Sequence, residues 1–121
     1  MDGFEIFDFS VALPYMTATE NGITFSKGVT QQLDFPQFVQ LLINEEERLL
    51  LVRPCAAGAP GARRFYKQGA RVASVRWNPA RLTAALEKMM GADFAQAGRR
   101  INGEACQDGV LFDLKKSRTM N

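Results

Sequence analysis

The strongest constraint on this fold is a turn signal. Asn21-Gly22 separates two short runs, Tyr15 to Thr19 and Ile23 to Phe25. Two residues that tolerate positive φ between strand formers specify a β-hairpin. Hairpins then set the expected grain of the chain. Phe38 to Ile43 and Leu49 to Arg53 are apolar runs of strand length around the polar turn Asn44-Glu45-Glu46-Glu47. Gln107-Asp108-Gly109 predicts a third hairpin, between Arg99 to Cys106 and Val110 to Lys115.

Two helices are expected between these strands. Ser26 offers a hydroxyl to free backbone amides as an N-cap; Val29, Leu33 and the following Phe35 mark about two helical turns that Pro36 ends. In the second half, Val72 to Trp77 reads as a strand. Asn78-Pro79 then reads as an N-cap with proline at the first helical position. Leu82, Leu86 and Met89 or Met90 form the apolar stripe, Gly91 is the stop, and a short helical stretch surrounds Phe94. Between the halves, Ala56 to Ala62 (AAGAPGA) reads as a surface connection and the most mobile part of the chain.

The expected fold class is therefore α+β, with two β-α-β-β units forming a small barrel or packed sheet with short helices. A single domain, 1–121, divides into an N-terminal arm (1–14), a first β-β-α-β-β unit (15–55), a flexible connection (56–63) and a second β-α-β-β unit (64–121). Strand, helix and hairpin recur in one order, so the halves are either a degenerate internal duplication or two similar units of separate origin. The expected core is Ile23, Phe25, Leu33, Val39, Leu41, Leu42, Ile43, Leu50, Val52, Val75, Trp77, Leu82, Leu86, Ile101, Leu111, Phe112 and Leu114.

A chain of 121 residues can bury enough surface to fold without metal or disulfide staples. Cys55 and Cys106 belong to no CxxC pair and are expected to stay reduced, as small apolar fillers at strand ends, unless those ends meet. No apolar run approaches the ~18 residues of a membrane span, and the acidic start (Met1, Asp2, Gly3, Phe4, Glu5) is unlike a secretory signal. A cytoplasmic location with no membrane partner is expected.

Charge is distributed unevenly. Residues 1–51 hold eight acids and two bases, and residues 52–121 hold thirteen bases and five acids, so a net charge of +2 conceals halves of −6 and +8. Such a split marks either an anion-binding face or halves and subunits that attract each other. The candidate nucleic-acid-binding residues are Arg63, Arg64, Lys67, Arg71, Arg76, Arg99 and Arg100, with Arg81, Lys115, Lys116 and Arg118 nearby in sequence. Phe65, Tyr66 and Trp77 are interleaved with them, a composition suited to phosphate contacts and base stacking; a solvated charged face is the alternative. Ser26 and Lys27 form a weaker candidate, an anion site at a helix start, with ordinary capping as its alternative. Phe4, Phe7 and Phe9 make the N-terminal segment either a strand or arm that covers the core or a sticky arm that docks on another subunit.

The chain has no histidine, which removes Ser-His and Cys-His nucleophiles and the commonest transition-metal ligand. Glu45, Glu46 and Glu47 fall in a predicted hairpin turn and are expected to solubilise it, not to work as acid or base. Neither a phosphate-loop motif nor GxGxxG is present. The expectation is no catalytic residue, no metal and no cofactor.

Ile23 to Cys55 (ITFSKGVTQQLDFPQFVQLLINEEERLLLVRPC) resembles the swapped-hairpin unit of AbrB-like and MazE-like regulators: a short strand, a basic helix start, a short helix, then a strand, an acidic turn and an apolar strand ending in Arg-Pro. The chain is also similar to small uncharacterised bacterial proteins in which Asn-Gly-Ile-Thr-Phe and Leu-Leu-Ile-Asn-Glu-Glu recur, a likeness that implies no activity. The regulator resemblance implies interlocked β-α-β units that bind DNA through basic residues on the early hairpin. That hairpin here has Glu20 and, as its cation, only Lys27, which shifts the implied surface to the basic second half. The expected function is a small non-enzymatic bacterial regulator contacting nucleic acid through that half. The alternatives are a protein-interaction module or homo-oligomer, and an enzyme that works without histidine.

Overall fold

The computed structural model describes residues 3–8 and 10–120. The strands are β1 (Tyr15–Thr19), β2 (Gly22–Phe25), β3 (Phe38–Asn44), β4 (Leu49–Pro54), β5 (Arg63–Arg64), β6 (Val75–Trp77), β7 (Arg99–Cys106), β8 (Gly109–Asp113) and β9 (Arg118–Thr119). Helix α1 (Lys27–Gln32) joins β2 to β3, α2 (Ala80–Met90) joins β6 to β7, and a 3-10 turn (Leu114–Lys116) follows β8. All pairings are antiparallel, in the order β5-β3-β4-β8-β7-β1-β2-β6, with β9 beside β7. The sheet curls into a barrel-like α+β fold. Its two ends meet where the Trp77 indole N–H donates to the Arg64 carbonyl at 3.2 Å.

The ladder follows a two-part rule. β2 pairs with β6 and β4 with β8, each strand facing the strand at the same place in the other half. The β3–β4 hairpin is matched by β7–β8, and the β1–β7 pairing by β5–β3. The halves are thus interlocked, since each lends its early strand to the other's hairpin.

Phe25 anchors the interior, its ring 5.1 Å from Trp77, 5.6 Å from Phe65 and 6.1 Å from Phe112. Edge and tilted contacts of this kind add to the area each ring removes from water. Val29 and Leu33 bury one side of α1, and Leu86 and Met89 bury one side of α2. Buried Thr30 donates its hydroxyl to the Ala73 carbonyl at 2.6 Å, tying α1 to the irregular segment before β6.

Several expectations are corrected locally. In the first hairpin the loop is Glu20-Asn21, because Gly22 already pairs with Thr19 and alone takes a positive φ, 133°. Ser26 is the N-cap of α1, but its hydroxyl bonds no helix amide: it donates to the Leu13 carbonyl and accepts from the Tyr15 amide. Helix α1 ends at Gln32, after which Asp34 and Phe35 take left-handed conformations that leave Phe35 exposed. Asn78 does not cap α2, since Pro79 occupies the N-cap, while Gly91 ends the helix with φ 62°. The strand expected from Val72 begins only at Val75, the stretch at Phe94 is a turn, and β8 stops at Asp113.

In the core, Leu42 and Ile43 are 36% and 42% exposed, and Leu41, Leu82 and Leu111 are half-buried. One face of β3 is covered, so an unbroken apolar run cannot be buried throughout. Met16, Ala18, Val29, Phe65, Met89, Phe94 and Val110 are buried beyond the expected set. Cys55 and Cys106 are unpaired, and exposed Cys106 is no filler. Among the described residues no helix is long and apolar enough to cross a membrane.

Candidate functional site

The expected cations do not form one patch. Strand β5 positions the first group. Its two residues pair with Phe38 and Val39 at the edge of β3, and this holds the Arg64 guanidinium 5.8 Å from the Phe38 ring centre. Arg63 lies 4.7 Å from the Trp77 ring centre. The backbone then turns inward, with the Phe65 and Tyr66 amides donating to the Gln37 and Pro36 carbonyls. Phe65 and Trp77 are consequently core residues and not stacking platforms, whereas Tyr66 is half-buried, braced edge-on by Phe35 at 5.2 Å.

Tyr66 stands between two hollows. One, of about 230 Å³, is lined by Gln37, Phe38, Arg64, Tyr66, Lys67 and Gln68. The other, of about 460 Å³, includes Lys27, Tyr66, Arg71 and Val72. Arg64, Lys67, Arg71 and Lys27 therefore make a track of positive charge with an aromatic ring at its middle. Lys27 joins this track while the Ser26 hydroxyl is spent on the N-terminal segment, so the helix-start pair is divided.

A second group lies on β7 and β9. Arg100 covers the Tyr15 ring at 3.7 Å and shares a hollow with Leu13, Asn102 and Arg118, while Arg99 donates to the Ser117 hydroxyl. The β1–β7 and β5–β3 pairings correspond between the halves, and each carries a guanidinium over a ring. Arg76 stands apart, donating to the Asn21 carbonyl at the tip of the first hairpin.

Among the described residues the one ion pair is Lys115–Asp113 at 3.1 Å, and the hydrogen bond from that ammonium holds the Asp113 carboxyl below the ordinary aspartate range. The Ser10 hydroxyl does the same to Asp8. Guanidinium groups kept on rings retain outward donors for planar anions. No three His, Cys, Asp or Glu side chains gather as metal ligands among the described residues.

The N-terminal segment does not cover the core. Phe4 and Ile6 are 77% and 95% exposed, as are most of Val11 and Leu13, and Phe7 is exposed as well; Phe9 lies outside the described residues. Its base is fixed by Gln31, whose side chain accepts from the Ala12 amide and donates to the Ser10 carbonyl.

Phe38, Gln37 and Gln68 escaped the sequence reading as site residues. The available signal was the pairing of Phe38 with Arg64, but a two-residue strand is too short to show a period. Fold and site together define a class, a barrel-like α+β domain with cations seated on aromatic rings along its strand seams. Comparison with protein-family models, curated proteins and solved structures finds no match to this chain.

Proposed function

We propose that this chain is a non-enzymatic binding protein, a small regulator that contacts nucleic acid through the basic second half. The observation that carries the reading is the set of guanidinium groups of Arg63, Arg64 and Arg100, held over Trp77, Phe38 and Tyr15 with no carboxylate partner among the described residues. Each such cation can release a counterion on meeting a phosphate, so binding is steeply salt-dependent. The matched pairings of the two halves also support an internal duplication. On that view one chain supplies both units of a swapped-hairpin pair, with the likeness at Ile23 to Cys55 as one of them.

The test is a salt series against duplex DNA and RNA and against single strands, with Arg63, Arg64 and Arg71 changed together to alanine in parallel. The wild-type chain binds at low salt, and the variant lowers the slope of log K against log salt by about two to three. Absence of binding at low salt, or equal affinity in the variant, overturns the reading.

The exposure of Phe4, Ile6, Val11 and Leu13 favours a second reading, a protein-interaction module that self-associates through its arm. Light scattering should show a mass above the monomer for the full chain and a monomer once residues 1–10 are removed. Monomer mass in both removes this reading.

A further inference from the structure

The hollow beside β5 has a composition that a phosphate site alone does not require. Its lining residues are Phe38, Tyr66 and Arg64 together with Lys67, Gln37 and Gln68. Of the other glutamines, Gln31 and Gln40 spend their side-chain amides internally, while the side chains of Gln32, Gln96 and Gln107 bond to no described residue. Gln31 bonds to Ala12 and Ser10, and Gln40 bonds to Pro60 and Arg53. The side chains of Gln37 and Gln68 bond to no other described residue. Each presents one acceptor and two donors beside a half-buried ring, with no acid in the wall.

We propose that this hollow is a nucleobase subsite for a single-stranded nucleic acid, a conclusion that rests on the nucleic-acid reading above and narrows it. A base lies against Tyr66 and the Arg64 plane, Gln37 and Gln68 hydrogen-bond its edge, and the flanking phosphates run along Lys67, Arg71 and Lys27. A duplex keeps base faces inside its own stack and offers such a site its phosphates alone, whereas an unpaired base can be splayed onto aromatic and guanidinium planes. The track also runs along a two-residue strand and an irregular segment and touches α1 only at its first residue, Lys27, so no helix lies along it to enter a major groove.

The test uses the full chain and five labelled probes of equal strand length at low salt: oligodeoxythymidylate, oligodeoxyadenylate, oligodeoxycytidylate, the thymidylate strand paired with its complement, and a strand of abasic residues. The ordinary single strand binds about tenfold more tightly than the abasic one, the usual worth of one stacked base, and more tightly than the duplex. Tyr66→Leu abolishes the preference over the abasic strand and leaves the salt slope unchanged. Because Tyr66 also touches the core, a thermal melt accompanies that variant. Gln37→Ala with Gln68→Ala, on exposed side chains, is the second variant, and it flattens the differences among thymidylate, adenylate and cytidylate strands. Equal binding of abasic and ordinary strands, or a preference unchanged by either variant, overturns the subsite and leaves the salt-dependent reading standing. No binding of any probe overturns both.

Discussion

Gly22 shows how one residue fixes a seam. Its φ of 133° lies where L side chains are strained, and an added Cβ would meet the Trp77 carbonyl of the neighbouring strand. Gly22→Ala should lose about 1–3 kcal/mol in urea unfolding. Gly58→Ala, in open space, should change little and serves as the control. The same residue explains a limit of the sequence reading. Asn21-Gly22 located the hairpin correctly, but the loop sits one residue earlier because the glycine is needed inside the ladder, against β6. Ser26 shows a related limit: it is the N-cap the sequence indicates, but nothing local reveals that Leu13 and Tyr15 claim its hydroxyl.

At the scale of the element, inward and outward positions of the β3–β4 hairpin should differ sharply. Leu50 is wholly buried, so Leu50→Ala should cost about 2–5 kcal/mol in chemical denaturation. Leu42→Ala, on the outward face, should stay within about 0.5 kcal/mol. A small loss at Leu50 would mean that the hairpin is not seated as described. The hairpins were legible because runs such as Leu49 to Arg53 meet tight polar turns, and α2 was legible from Leu82, Leu86 and the Gly91 stop. Phe38 to Ile43 gave its strand but not its faces, since a continuous apolar run has no period from which to read burial.

At the scale of the molecule, the α+β class and the barrel-like sheet were readable from element order, while the site was only half readable. Arg64, Lys67 and Arg71 are neighbours in sequence and stay together around Tyr66, while Arg63 turns to the Trp77 ring. Gln37, Phe38 and Lys27 are distant and join them through β5 and α1. Arg99 and Arg100 stand apart in sequence and also in the fold, where β7 carries Arg100 to Tyr15 and Arg99 to the Ser117 hydroxyl. The charge split between halves therefore resolves into separate tracks, which the interlocked strands distribute.

That interlocking also governs how the chain can acquire its structure. Tyr15 must wait for Asn102, and Leu50 must wait for Phe112, before either strand has a second neighbour. During synthesis the first hairpins leave the ribosome with Phe25 and Leu50 still in water, and no early half can close over them. Such long-range closure is slow. A chain stalled before β7 is therefore an unfinished sheet with open edges, and the cell must protect it or degrade it.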